Sequence, residues 1–197
     1  MSTLRDGTQP IIAHGSVYLR PAERSEIPLF VTWFNDYATS RTLSIRSPMS
    51  IAAEEQWFER AVANQGKDGY HFVACLLTDD RPIGTVGLFD LDIVNGSAGL
   101  GISVGAGADR GKGHGTDMLL ALLGFGFDSL RLERIELDCY DFNPDAHRLY
   151  QRVGFVDEGV ARHRIFREGR YADLFKMSML AGEWRAAHGG PAAGDSA

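Results

Sequence analysis

Along this chain the spacing of hydrophobic and polar positions switches between a strand period and a helix period, and each switch marks an element. In residues 16–20, Val17 and Leu19 alternate with more polar neighbours, which predicts a short strand ended by Pro21. From a cap at Ser25, Ile27, Phe30, Val31 and Phe34 recur at helical spacing up to the polar pair Asn35 and Asp36. A second amphipathic helix is predicted over residues 51–64, capped by Ser50, with Trp57 and Phe58 facing inward. Between the two helices, residues 37–49 read as a loop or an irregular helix. Residues 70–77 and 83–90 are rich in β-formers and flank the turn-forming segment 78–82; a third such run, 97–104, follows Asn95 and Gly96. These three runs form a predicted meander.

Glycine and charge fill residues 105–115, after which Leu119, Leu122, Leu123, Phe127 and Leu130 line one face of a long helix. Ile135, Leu137 and Cys139 then alternate with Glu136 and Asp138, a strand over 134–140 with one apolar face. The following helix is sharply bounded. Asn143 caps it, Pro144 suits its first position, Ala146, Leu149, Tyr150 and Val153 fall at i, i+3, i+4 and i+7, and Gly154 supplies the left-handed end. Residues 155–167 and 170–180 make a hairpin around Glu168 and Gly169. This order predicts an α/β fold whose sheet is antiparallel in its N-terminal half and continues through a helical crossover. We expect one domain over residues 15–184, a flexible N-terminal arm over 1–14, and a disordered tail over 185–197, rich in Ala, Gly and Pro.

Composition narrows the partners. Acidic residues outnumber basic ones 26 to 20, for a formal net charge of -6. A protein of that sign exerts no bulk attraction on nucleic acid or an anionic membrane, so neither is expected as a partner, and an anionic ligand must be captured locally. Cys75 and Cys139 lie in apolar runs without metal-ligand spacing, and read as reduced, buried thiols of a cytoplasmic protein. No apolar stretch reaches membrane-spanning length, and no export signal is read at the N-terminus.

The local anion device is the segment Arg110-Gly111-Lys112-Gly113-His114-Gly115-Thr116, which opens the long helix directly after a strand. Glycines let successive backbone N–H groups converge, and a helix N-terminus adds partial positive charge. A plain glycine-rich turn with solvated basic side chains is the alternative. Two nucleotide-binding patterns fit poorly: Gly111-Lys112 is followed by Gly113 where a Walker A loop needs Ser or Thr, and the glycines run G-x-G-x-G rather than G-x-G-x-x-G.

Arg110-x-x-Gly113-x-Gly115 resembles the acetyl-CoA signature of the GNAT family of N-acetyltransferases. The block from Asn143 through Ala146, Leu149-Tyr150 and Gly154-Phe155 is similar to that family's later motif. Within the family, Trp33-Phe34-Asn35-Asp36, Glu168-Gly169-Arg170-Tyr171 and Asp173 resemble the ribosomal-protein-alanine and spermidine acetyltransferase branches. The resemblance implies a single GNAT-type domain with a mixed, mostly antiparallel sheet split by a V-shaped opening and flanked by helices. It further implies acetyl-CoA as cosubstrate and no metal. Backbone groups of Ile102, Ser103 and Val104 would pair with the pantetheine arm, the segment Arg110 to Thr116 would hold the pyrophosphate, and Asn143 would contact the cofactor arm. Tyr150 would donate a proton to the departing CoA thiolate. Asn143 also explains itself as a helix cap, and Tyr150 as a core tyrosine.

For the acceptor side, Ala98-Gly99-Leu100-Gly101 offers no carboxylate, so a water-mediated path or an acid from elsewhere has to take the proton. Asp36, Glu54, Glu55, Asp90, Glu136 and Asp138 are candidates, and Asp36 and Glu55 rank highest as amine-binding groups because the first two helices form the acceptor wall in this family. The expected reaction is direct transfer of acetyl to a primary amine, either a small amine or polyamine or a protein N-terminus. A non-catalytic acyl-CoA-binding regulatory domain is the rival, and the sequence leaves a homodimer open.

Overall fold

The computed structural model describes residues 7–105 and 107–189. Its centre is an eight-stranded sheet in the order β1-β2-β3-β4-β5-β6-β8-β7. The strands are β1 (Ile12–His14), β2 (Val17–Arg20), β3 (Tyr70–Leu76), β4 (Pro82–Asp92), β5 (Ser97–Val104), β6 (Arg134–Tyr140), β7 (Val156–Arg167) and β8 (Arg170–Leu180). The helices are α1 (Ile27–Asn35), α2 (Tyr37–Ser40), α3 (Ile51–Asn64), α4 (His114–Gly124), α5 (Pro144–Val153) and α6 (Ala181–His188). Every pairing is antiparallel except β5 with β6, the pair that α4 connects.

Both faces of the N-terminal half are covered, and strand alternation shows it. Val17, Leu19, Phe72 and Ala74 enter the main core with Leu119, Leu122 and Leu123 of α4, while Tyr18, Val73 and Cys75 point to the other face, against Phe30 and Trp33 of α1. The caps at Ser50, Asn143 and Gly154 act as the sequence predicts, but Ser25 does not cap α1: it lies in a 3-10 turn over Arg24–Glu26, and Glu26 stands at the N-cap of α1. Ser50 accepts from the Ala53 N–H at 3.1 Å, Asn143 accepts from Ala146 at 3.4 Å, and Gly154 ends α5 in the left-handed conformation.

The structure departs from the sequence reading at three further places. The arm expected over residues 1–14 contributes β1, because Ile12, Ala13 and His14 complete a hairpin on Leu19, Tyr18 and Val17. Its first residues, 1–6, lie outside the described residues. The chain after β8 is helical to His188, four residues into the span expected as tail from 185, because buried Trp184 stacks on Phe127 at 5.8 Å and donates Nε1–H to Asp128 at 3.1 Å. Residues 190–197 are likewise outside the description. The stretch 37–49, expected as a loop or an irregular helix, holds the short α2 over residues 37–40, capped by Asp36. Trp57, read as inward, remains 39% exposed, whereas Phe58 is buried. Cys75 and Cys139 are free and buried, and among the described residues no helix is long and apolar enough to cross a membrane.

Candidate functional site

The parallel pair at the centre of the sheet is incomplete. Ser97, Ala98 and Gly99 of β5 pair with Arg134, Ile135 and Glu136 of β6, and the ladder stops there. Beyond it, Val86, Thr85 and Gly84 of β4 still pair with Ile102, Ser103 and Val104. The last residues of β5 therefore have a ladder on one edge only. Backbone groups on the other edge line a V-shaped opening.

At the mouth of that opening the chain turns through Gly107–Asp109 into α4. Asp109 is buried and accepts from both terminal nitrogens of Arg81, at 2.7 and 2.9 Å, which holds its carboxyl below the usual range. Gly113 occupies the N-cap of α4 with φ 88°, a left-handed conformation that side chains resist. Its carbonyl accepts from Thr116 and Asp117. Like every α-helix, α4 begins with N–H groups that have no partner within it. Gly115 lets α4 and α5 close together, since a methyl group there would come within 3.3 Å of Leu149.

Between this loop, the free edge of β5 and α5 lies a cleft of about 820 Å³. It brings together Ile102, Ser103, Val104, Arg110, Gly111, Gly113, Gly115, Thr116, Asn143 and Tyr150. The side chains of the loop are arranged differently from a simple basic patch. Lys112 turns to Asp109 (3.8 Å) and His114 to the Ser16 hydroxyl (3.1 Å), and neither borders the cleft. Arg110 does border it, but its guanidinium donates to Ala38 O, Thr39 Oγ1 and Val104 O, which fastens the loop to α2 and to the end of β5.

Further positive charge comes from Arg41, Arg148 and Arg152, which sequence reasoning passed over. Arg148 and Arg152 are spaced i, i+4 on the motif-bearing helix, a signal that was legible; Arg41 is brought in only by the fold. Tyr150 is half-buried beside Phe155, and burial, followed by the neighbouring Cys139, pushes its pKa well above the ordinary tyrosine value. Burial pushes the Cys139 thiol itself up to about 12. Both groups hold their protons at neutral pH.

A second cavity, of about 440 Å³, adjoins the first, with Leu43, Ile102 and Ser103 bordering both. Its walls are Phe30 and Phe34 of α1, Trp57 of α3, Phe72 of β3 and Phe89 of β4. Of the acids weighed from sequence, only Glu54 lines it. Asp36 instead caps α2 through Thr39 N and Oγ1, at 3.1 and 2.8 Å, and Glu55 points to solvent. Glu136 pairs with Arg134 and Asp138 with Lys176. Glu54 shares the inward stripe with Phe58, four residues on, so its burial followed from the period already used to orient α3. Burial raises its pKa and lowers that of His71, which faces the same cavity and meets Trp57 edge-on at 5.0 Å.

The family model of the acetyltransferase (GNAT) domain matches residues 16–156. A prophage-derived N-acetyltransferase of Bacillus subtilis is 30% identical over 171 residues, which is 87% of this chain and 93% of that protein. The spermidine N(1)-acetyltransferase of Vibrio cholerae is 33% identical over 102 residues, 52% of this chain and 58% of its own length. The crystal structure of the Vibrio cholerae spermidine N-acetyltransferase with CoA and spermine superposes with a TM-score of 0.80 at 25% identity, covering 86% of this chain and 98% of that one.

Proposed function

This chain belongs to the GNAT acetyltransferase family and is an acetyl-CoA-dependent N-acetyltransferase, and from that premise we propose that it transfers acetyl directly to a primary amine entering from the cavity between α1, α3 and β4. The observation that carries this reading is the junction of the two cavities at Ile102 and Ser103, with Tyr150 on one side and Glu54 on the other. A donor in the cleft and an acceptor in the cavity can meet there without leaving the protein.

Acetyl-CoA supplies the thioester, and the residues of the cleft fit it. The free edge of β5 at Ile102, Ser103 and Val104 can pair with the amides of the pantetheine arm, and the backbone N–H groups around Gly113 can receive the pyrophosphate. Arg152, together with Arg41 and Arg148, whose exposed partners Glu168 and Asp145 hold them only weakly, can supply local positive charge in an acidic protein. The neutral amine nitrogen attacks the carbonyl carbon, which forms the N–C bond. The proton lost from that nitrogen passes to water. The C–S bond then breaks, and Tyr150 gives its hydroxyl proton to the sulfur and regains one from solvent. Burial keeps the phenol protonated at neutral pH, so a proton is present for the sulfur as the departing thiolate forms beside it.

Asn143, whose side-chain oxygen caps α5, borders the same cleft and is in a position to contact the arm there. The two named acceptor classes, a small amine and a protein N-terminus, share this chemistry. Thiol release from acetyl-CoA on addition of primary amines tests the reading, and its absence with every amine, while acetyl-CoA still binds, would defeat it.

A further inference from the structure

The acceptor cavity carries one acid and no lysine or arginine along its walls. Glu54 is 2% exposed and faces that cavity, and burial is the sole cause of its perturbed titration, with neither a hydrogen bond nor a neighbouring charge contributing. A carboxylate so placed is costly unless a cation or donor meets it. Nothing on the wall does so: His71, the other titratable group, is held neutral by its own burial. The walls of the same cavity include Phe34, Trp57, Phe72 and Phe89, aromatic surfaces that favour an apolar body and tolerate a cation.

Resting on the acetyl-transfer reading above, we infer that the acceptor is a primary monoamine with an apolar body, an alkylamine or arylalkylamine, whose nitrogen enters as an ammonium seated on Glu54 and gives up one proton to water before it attacks as the neutral amine. A polyamine fits this cavity poorly. Its second and third ammonium groups would need carboxylates that the wall lacks, and each would be buried unpaired among aromatic rings. A peptide N-terminus carries amides close behind its amine, and beyond Ser44, Thr85 and Ser103 the cavity has few polar side chains to receive them.

The test compares kcat/KM, by thiol release with saturating acetyl-CoA, for hexylamine, 2-phenylethylamine, spermidine and an alanine-first tripeptide. At least a tenfold preference for the two monoamines is expected. Glu54→Gln, which removes the charge at nearly equal volume, should lower kcat/KM for the monoamines about 10- to 100-fold, the size of a lost charged hydrogen bond, and do so through KM. Its melting temperature and acetyl-CoA affinity should match or exceed those of the parent, which separates lost recognition from lost folding. Spermidine or the peptide used as well as the monoamines would overturn the acceptor class and leave acetyl transfer to amines standing. An unchanged KM in Glu54→Gln would overturn the role of Glu54. No turnover with any of the four would defeat the acetyl-transfer reading itself.

Discussion

Arg81 grips Asp109 with both terminal nitrogens, at 2.7 and 2.9 Å, and thereby ties the turn before β4 to the base of the glycine-rich loop. The aspartate is buried, while the arginine side chain is 47% exposed. Asp109→Asn should therefore cost about 1 kcal/mol, below the usual range for a charged hydrogen bond, since the exposed Arg81 can recover water. The carboxyl is held below its ordinary value, so this stability is present above the unfolded pKa of about 3.9 and fades as pH falls through the folded one. Denaturant unfolding at neutral pH and at pH ~3 checks it: the gap between parent and variant should narrow in acid. Acetyl-CoA affinity should fall with the loosened loop.

Gly113 gives a cleaner probe of the loop backbone. Nothing lies within 4 Å of where its side-chain carbon would be, so Gly113→Ala acts through the left-handed backbone alone, at about 1–2 kcal/mol. Acetyl-CoA binding, measured by calorimetry, should weaken. Gly107 is equally open and lacks a positive φ, so Gly107→Ala should change neither stability nor affinity. Equal effects at both positions would remove the conformational explanation.

Replacing Tyr150 by Phe keeps the ring that packs on Phe155 and removes only the proton donor. Turnover should drop by about 10²–10⁴-fold, the range for general acid–base catalysis, with acetyl-CoA affinity and melting temperature unchanged. A variant that turns over at the parental rate would show that the thiolate needs no proton from this residue.

Arg167 donates to the carbonyls of Leu43 and Ile45, at 2.7 and 3.1 Å, and Arg46 returns a bond to Phe166 O at 2.9 Å. The β7–β8 turn thus clasps the segment that walls the acceptor cavity. Arg167→Ala should raise KM for the amine several-fold while leaving acetyl-CoA affinity near its parental value. Equal losses for both substrates would point to a general defect.

Glu54 should set function against stability. Its folded pKa is raised by burial, so the folded state takes up that proton more tightly than the unfolded chain does. Stability from this group is then highest at low pH and declines as pH rises from about 4.3 through the folded value. Glu54→Gln escapes that penalty. Its melting temperature should exceed the parent's at pH 7, and the difference should close near pH 4. A variant less stable than the parent at neutral pH would mean that the carboxylate is partnered.

Much of this was legible along the chain, for physical reasons that are local. Helix α5 is bounded by Asn143, Pro144 and Gly154, each of which acts within a turn of its own position, so its limits can be read without knowing what it packs against. The same holds for Ser50 on α3 and for the hairpin turn at Glu168 and Gly169. Helix α6 escaped notice because its residues are poor in hydrophobic pattern; Trp184 orders it only once Phe127 and Asp128 are in place. Charge was misplaced for a related reason. Asp36 is held at α2 by Thr39 and Lys112 leans toward Asp109, and neither side chain lines a cavity.

The sequence by itself determined the succession of elements, the glycine-rich loop at the start of α4, and the two motifs that carry the family resemblance, because caps, turn residues and periodicity act over a few residues. Only the tertiary structure decided where β5 and β6 part, that Arg41 joins Arg148 and Arg152 around the cleft, and that Glu54 rather than Asp36 or Glu55 faces the second cavity. Those outcomes depend on residues far apart in the chain meeting across the sheet. Hydrophobic period tells which face of α3 turns inward, but the packing of α1, β3 and β4 leaves a space there, and that space turns a buried carboxylate into a site.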